Sequence, residues 1–155
     1  MKYRTSVEID LPRERVVALF DNPDNYPKWQ DSLVNMERLE GEPGQVGTTT
    51  RLEHKMGKRE VTMIETVTLR ELPDRFTATY EAKGVWNVAA NTFEELENGR
   101  TRWTIGTEFR CRGIVWLMTK LMPGMFKKQT QATMEAFKAF AEGQAGGQAE
   151  GLDPT

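Results

Sequence analysis

A carboxyl group, a phenol, two side-chain amides and two threonine hydroxyls are spaced along the middle of the chain so that antiparallel strand pairing would gather them on one face of a sheet. Burial in an apolar setting would raise the pKa of Glu65 and make it a possible general acid or base. The same groups could instead orient a ligand carbonyl or hydroxyl, or satisfy one another in a filled core. All three interpretations stay open. The set consists of Thr48, Thr50, Glu65, Tyr80, Asn87 and Asn91.

The other residues that could do chemistry are one histidine and one cysteine. His54 falls on the same predicted face near a hairpin end, where it could carry protons together with Glu65 and Tyr80, the other catalytic candidates. The alternative is a partly exposed packing residue. Because no second histidine or cysteine accompanies His54 at ligand spacing, we predict no metal site and no cofactor. Cys111 has no evident base partner, so we predict a buried, inert thiol.

Tight turns determine how the strands pair. Gly57-Lys58 is a two-residue hairpin turn, which places His54 opposite Val61 and Thr50 opposite Glu65. Three further turns continue the same meander and predict two pairs each. These pairs are Leu69–Ala78 and Val67–Tyr80, then Tyr80–Asn87 and Ala78–Ala89, and finally Phe93–Trp103 and Asn91–Ile105 around a three-residue loop that ends on a left-handed Gly99.

These registers give the sheet two different faces. One collects threonines between charged residues and is predicted to face water, while the other is apolar and is predicted to face the core. The predicted apolar face contains Val46, Leu52, Met63, Val67, Leu69, Ala78, Ala89, Phe93, Trp103, Ile105 and Phe109.

A long C-terminal helix, predicted over about residues 113–142, would cover the apolar face. Its charged and amide residues recur at three- and four-residue spacing and define a solvent face. The opposite face includes the polar residues Gln129 and Thr133, and Pro123-Gly124 interrupts its first half. Leucine would suit a simple core better, so we predict a ligand cavity between helix and sheet, against the alternative of ordinary packing with methionine infill. The predicted ligand-binding residues are Thr48, Thr50, Glu65, Val67, Tyr80, Asn87, Asn91, Trp103, Phe109, Met122, Phe126, Gln129, Thr133 and Phe137.

Length and composition predict one globular domain over residues 1–142 and a disordered tail over residues 143–155. The chain has 155 residues, 38% of them hydrophobic, and a formal net charge of −2. This balance gives no reason to expect nucleic acid, and charges of both signs alternate without a polybasic run that would favour an anionic membrane. With no membrane insertion, no leader and one cysteine, a cytoplasmic protein is predicted, as a monomer or weak homodimer.

Three short segments, in their order and spacing, resemble those of a known superfamily. They are Val7-Glu8-Ile9-Asp10-Leu11-Pro12 leading into a helix, Asp24-Asn25-Tyr26-Pro27-Lys28-Trp29, and Asn98-Gly99-Arg100-Thr101-Arg102. On these segments the chain resembles a START-like (SRPBCC) domain of the polyketide cyclase/dehydrase and lipid-transport type. The resemblance implies an α+β helix-grip fold: a seven-stranded antiparallel curved sheet wrapped around a long C-terminal helix, with two short helices after the first strand.

The resemblance implies no single chemistry, because members range from lipid carriers to ring-closing enzymes. We predict binding of a small hydrophobic molecule between sheet and helix, for transport or sequestration. The first alternative is a polyketide cyclase/aromatase-type enzyme in which Glu65, Tyr80 and His54 enolise and dehydrate a poly-ketone. The second is a stress or chaperone-associated module that works through its surface.

Overall fold

Seven antiparallel strands form one curved sheet. The computed structural model describes the backbone of residues 1–151 and the side chains of residues 1–144. The strand order is β1-β7-β6-β5-β4-β3-β2, so every strand from β2 to β7 pairs with its neighbour in sequence and β1 joins β7. The strands are β1 (Lys2–Ile9), β2 (Leu33–Glu40), β3 (Thr49–Met56), β4 (Arg59–Glu71), β5 (Arg75–Ala82), β6 (Val85–Glu95) and β7 (Thr101–Cys111).

Two short helices follow the first strand and two helices follow the last. Pro12 precedes α1, and Asn22 begins a 3-10 turn over Pro23–Asn25 by accepting a hydrogen bond from the Asp24 amide at 3.1 Å. The predicted α+β helix-grip fold is thereby confirmed. None of the helices in the described part of the chain is long and apolar enough to cross a bilayer. The helices are α1 (Arg13–Phe20), α2 (Tyr26–Trp29), α3 (Gly113–Leu121) and α4 (Met125–Gly151).

The C-terminal region contains two helices where the sequence predicted a single interrupted one. Helix α3 ends at Leu121 and α4 begins at Met125, because Pro123 has no amide hydrogen to continue the helical ladder. Helix α4 then continues through Gly151, past residue 142, so the backbone over 143–151 is helical where a disordered tail was predicted. The remainder of that tail, 152–155, lies outside the described residues, and the domain limit at 142 stays a prediction.

Three of the four predicted hairpin registers are confirmed. Glu65 pairs with Thr50, Tyr80 pairs with Asn87, and the third register contains the predicted pair of Phe93 and Trp103. The last register depends on the three-residue loop Glu97–Gly99, in which Gly99 has the predicted positive φ of 72°. Agreement in these hairpins fixes which side chains face the helices.

The register between β4 and β5 was predicted wrongly, because β4 contains a bulge. The bulge lies between Val67 and Leu69, and it pairs Val67 with Ala78 and Glu65 with Tyr80. Glu65 and Tyr80 are therefore direct cross-strand neighbours, one step closer than predicted.

The same bulge exchanges two side chains between the faces of the sheet. Leu69 pairs with Thr77 on the threonine-rich face, so its predicted place on the apolar face was wrong. Arg70 instead pairs with the buried Phe76 and joins the inner face. Val46 was also misplaced: it is 62% exposed and precedes β3.

An aromatic core fills the half of the inner face beneath α1 and α2. Trp103 is 1% exposed, and its ring centroid lies 5.0 Å from that of Phe137 and 5.7 Å from that of Phe20. The indole Nε1 donates to Asn91 Oδ1 at 2.9 Å, and Asn91 Nδ2 donates to the Phe76 carbonyl at 3.1 Å. This half of the sheet is therefore closed by protein. The buried core cluster consists of Val7, Ile9, Leu11, Val16, Val17, Phe20, Trp29, Val67, Phe76, Ala78, Phe93, Trp103, Met134, Phe137 and Ala141.

Candidate functional site

The other half of the inner face is less well covered. Ala89, Ile105 and Phe109 lie on β6 and β7, two interior strands, yet each keeps some exposure to solvent. Interior strands are shielded at both edges, and this exposure is consistent with space above the inner face. The concave surface between these strands and the first half of α4 is the candidate site.

Glu65 and Tyr80 form the polar centre of this surface. Glu65 is 9% exposed and lies directly between Thr50 on β3 and Tyr80 on β5. Burial raises the pKa of the Glu65 carboxyl, and its hydrogen bond with the Tyr80 side chain offsets part of that rise. Burial and the nearby Glu65 charge together raise the pKa of Tyr80 well above its ordinary value. The pair therefore favours its protonated forms and can donate hydrogen bonds.

Tyr26 completes the cluster from the opposite wall, and sequence reasoning did not select it as a site residue. Burial raises the pKa of its phenol, with smaller contributions in the same direction from Glu65 and Asp21. Its ring packs edge-on against Trp29 with a centroid distance of 5.8 Å, which fixes it on α2. In the sequence, the segment that carries Tyr26 is distinguished only by its resemblance to a family motif. Its chemical meaning depends on the helix lying over Glu65, which no local pattern reveals.

An ion pair positions the wall that carries Tyr26. Arg70 donates to the two carboxylate oxygens of Asp21 at 2.8 and 2.6 Å and to the Gly44 carbonyl at 3.0 Å. Gly44 has a φ of +74°, and a Cβ there would come within 2.6 Å of Arg70 Nη1. Position 44 therefore requires glycine. Through these hydrogen bonds the Arg70 guanidinium joins the end of α1 to the loop before β3.

Asn87 presents a buried hydrogen-bond acceptor without a partner. It pairs with Tyr80 on one side and Phe109 on the other, which places it at the centre of the less covered half. Its Oδ1 is buried and accepts no hydrogen bond; Thr5 Oγ1 and Trp29 Nε1 are also buried and unpartnered. An unsatisfied buried polar atom costs about 1–3 kcal/mol. A bound molecule with a donor group would remove that cost.

Five of the predicted ligand-binding residues have structural roles within the protein. Asn91 holds the Trp103 indole, and Thr48 Oγ1 donates to the Glu42 carbonyl in the loop before β3. The other members of this group, like Trp103, belong to the aromatic core. Their predicted contact with a ligand stays a prediction. The five residues are Thr48, Val67, Asn91, Trp103 and Phe137.

Most of the other predicted ligand-binding residues do come together. Phe109 stacks on Phe126 with ring centroids 4.8 Å apart, and Tyr3 closes the β1 side by hydrogen-bonding Thr130 at 2.7 Å. Thr133 is partly buried, and its hydroxyl donates to the Gln129 carbonyl within α4. The residues of the less covered half are Thr50, Glu65, Tyr80, Asn87, Phe109, Phe126 and Thr133.

Two predicted ligand-binding residues lie at the surface. Met122 is 54% exposed in the break between α3 and α4. Gln129 is exposed and donates from Nε2 to Met56 Sδ at 3.2 Å, so it connects α4 to the β3–β4 hairpin rather than facing Tyr80 and Asn87. The side of α4 predicted to face the sheet was therefore wrong at this position. Met134, rather than Gln129, is fully buried.

His54 lies apart from the polar cluster. Its Nδ1 is 2.8 Å from Ser32 Oγ, and burial lowers the pKa of the imidazole. It lies four positions from Thr50 along β3, a distance of about 13 Å in a strand. Glu65 therefore has no histidine partner. Cys111 was predicted to be buried but is partly exposed, and partial burial raises the pKa of its thiol.

The raised pKa of Glu65 predicts a specific pH dependence of stability. The folded protein holds this proton more tightly than the unfolded chain, so the free energy of unfolding falls as the pH rises from about 4.5 through the raised pKa. Glu65→Gln mimics the protonated form and removes this loss. We expect the variant to match wild type in acid and to be more stable at neutral pH.

Urea unfolding at several pH values measures this difference, with Glu60→Gln at an exposed position of β4 as the control. A constant difference between Glu65→Gln and wild type across the range would show that Glu65 keeps an ordinary pKa.

The sequence identifies the family. The sequence profile of the family described as polyketide cyclase/dehydrase and lipid transport matches residues 1–142. Because the match covers most of the chain, the protein belongs to this family, and the predicted START-like superfamily is confirmed. No protein of curated function matches the sequence.

Solved structures with little sequence identity share the fold. A conserved protein from Geobacillus kaustophilus matches with a TM-score of 0.79 and 15% identity over 92% of this chain and 95% of its own. A Streptomyces aromatase/cyclase matches with a TM-score of 0.77 and 15% identity over 92% and 93%. A Thermus thermophilus protein gives 0.77 and 15% over 93% and 99%. At such identities the similarity establishes the architecture alone.

Proposed function

We propose that the protein reversibly binds a small hydrophobic molecule that carries at least one hydrogen-bonding group, in order to transport or sequester it. The observation that supports this proposal best is the unpartnered Asn87 Oδ1 at the centre of the less covered half of the sheet. A protein that only needed a filled core would have an apolar residue there, as the neighbouring Ala89 does.

We infer the chemistry of the ligand from the residues that line the site. Phe109, Phe126 and Ile105 provide an apolar floor and wall for a hydrocarbon or aromatic body. Asn87 accepts a hydrogen bond from a hydroxyl, while protonated Glu65 donates one to a carbonyl or hydroxyl oxygen. The carrier function is consistent with the lipid-transport side of the family.

Replacing Asn87 tests the proposal. We expect Asn87→Leu to leave the apo protein as stable as wild type or more so, because the orphaned amide disappears. Ligands with a hydroxyl should lose roughly 1–3 kcal/mol of affinity, whereas purely aliphatic ligands should bind equally well or better. The measurement is displacement of a hydrophobic fluorophore by matched competitors that differ only in the hydroxyl.

Gln129→Leu is the matched control, because Gln129 is also a polar residue near the site but is exposed. Its competitor ranking should equal that of wild type. Equal rankings for all three proteins would contradict the role of Asn87. Absence of fluorophore binding to wild type would contradict the carrier proposal as a whole and favour the surface-module alternative.

A cyclase/aromatase-type enzyme is the second candidate, and the convergence of Glu65, Tyr80 and Tyr26 favours it. A carboxyl and two phenols with raised pKa values can protonate a carbonyl or a leaving hydroxyl in a water-poor site. His54 has no part in such a site. A carrier releases its ligand unchanged, whereas an enzyme releases a dehydrated product that is lighter by one water. Mass spectrometry of a bound poly-ketone after incubation distinguishes the two.

A further inference from the structure

Helix α3 exposes most of its apolar side chains to solvent. Ile114 is 73% exposed, Leu117 48% and Leu121 72%, and none of the residues of α3 is buried. These three residues are spaced by three and four positions and therefore share one face of the helix. Trp116, about 100° around the helix from Leu117, is 51% exposed. A helix of a globular protein normally buries such a stripe, so this one has an apolar surface without a partner among residues 1–144, whose side chains the structure describes.

Basic residues flank this apolar stripe in the sequence. The chain as a whole has a net charge of −2, yet no acidic residue occurs between Glu108 and Glu135. The side chains of all the basic residues in that interval are exposed. The remainder of the protein is therefore acidic. The small net charge of the whole chain conceals a local basic region that could contact a membrane surface. The basic residues are Arg110, Arg112, Lys120, Lys127 and Lys128.

We propose that α3 and the break after it dock on an anionic lipid surface, with α3 lying in the plane of the interface. Ile114, Leu117 and Leu121 would enter the boundary of the acyl chains, and Trp116 would lie among the headgroups. Lys120 Nζ lies 5.7 Å from the Trp116 ring centroid and makes a cation–π contact with it. An aromatic ring beside a cation fits the headgroup region of a membrane. The basic side chains would attract anionic headgroups at about 1 kcal/mol each.

The charges also decide between lipid and a second copy of the chain. Arg110 is paired with Glu108 at 3.5 Å, so the net charge of this region comes mainly from Lys120, Lys127 and Lys128. A symmetric dimer through α3 would bring these lysines of the two copies together, and like charges directly opposed are unfavourable. An anionic bilayer complements both the apolar stripe and the charges. An open depression of about 970 Å³ at the break, with Lys127 and Lys128 in its wall, offers room for a headgroup.

The position of α3 allows it to dock without disturbing the fold. Gly113 begins the helix with a φ of 63°, and Pro123-Gly124 separates it from α4. Phe126, which stacks on Phe109 in the candidate site, follows directly after the break. Docking would therefore place the less covered half of the sheet next to the lipid. The docking itself requires no ligand and stands independently of the proposed carrier function.

Vesicle co-sedimentation tests the inference. The full chain is mixed with vesicles of phosphatidylcholine alone or with 30% phosphatidylglycerol, and binding is followed at low and high salt. We expect binding to the anionic vesicles only, with loss of binding as salt increases. Lys127→Glu removes one positive charge and adds a negative one, so it should weaken binding about thirtyfold. Leu121→Ser should weaken it about fivefold or more.

Two controls carry the same chemical changes elsewhere on the surface. Arg38→Glu on β2 and Val34→Ser, where Val34 is 62% exposed, should bind like wild type. Failure of wild type to bind anionic vesicles at low salt would overturn the inference. Equal weakening by the control variants would do the same, as would a concentration-dependent dimer that Leu121→Ser abolishes.

Discussion

Trp103→Ala should lower the free energy of unfolding by roughly 3–5 kcal/mol, as expected for removal of a fully buried aromatic side chain. Trp103 is 1% exposed and contacts the rings of Phe20, Trp29 and Phe137. Its loss also leaves Asn91 Oδ1 buried without the indole donor. For a domain with a total stability of about 5–15 kcal/mol, this is a large fraction. Denaturant unfolding of the apo protein measures it.

The chain supplies a matched control in Trp116, which is 51% exposed. Trp116→Ala removes the same atoms from the surface and should change stability by less than about 0.5 kcal/mol. If Trp103→Ala cost no more than Trp116→Ala, the aromatic core would have to be a ligand cavity instead. In that case, ligand affinity rather than stability would fall.

The hairpin turns explain how far the sequence could specify the sheet. Gly57-Lys58 and the loop ending at Gly99 fix their registers through backbone conformations that only a few residues adopt. Pairings such as Thr50–Glu65 and Tyr80–Asn87 follow directly from them. These local signals were sufficient to place most of the polar cluster on one face.

Features that depend on long-range packing could not be predicted in this way. The bulge after Val67 allows Arg70 to reach Asp21 and Gly44, which are distant in sequence, and no turn signal announces it. Tyr26 acquires its role only when α2 lies over Glu65.

The phase of α4 was misjudged for a related reason. Met134 and Gln129 both lie near the apolar face by spacing alone, and contact with β1 and α2 decides which one is buried. Similarly, the exposure of α3 is a property of the assembled fold. The sequence shows its apolar and basic residues but not that they lack a covering surface.

The second large effect is expected from filling the candidate site. Ala89 lies on the interior strand β6, faces inward between Ala78 and Thr107, and keeps some exposure. Ala89→Trp would occupy the space above it. If that space receives a ligand, the variant should fold with the stability of wild type or better while its affinity for a hydrophobic fluorophore falls about a hundredfold, equivalent to about 2.7 kcal/mol.

Ala90→Trp is the ideal comparison, since Ala90 is the adjacent residue but points to the threonine-rich outer face, opposite Thr77 and Gly106. It adds the same indole to the same strand and should leave fluorophore binding unchanged. In a filled interior, the inward indole would instead force its neighbours apart and cost about 1–3 kcal/mol of stability. Paired unfolding and binding curves for the two variants separate these cases. A destabilised Ala89→Trp protein that still binds the fluorophore as wild type does would mean that the ligand lies elsewhere, because the space above residue 89 cannot hold both the indole and the probe.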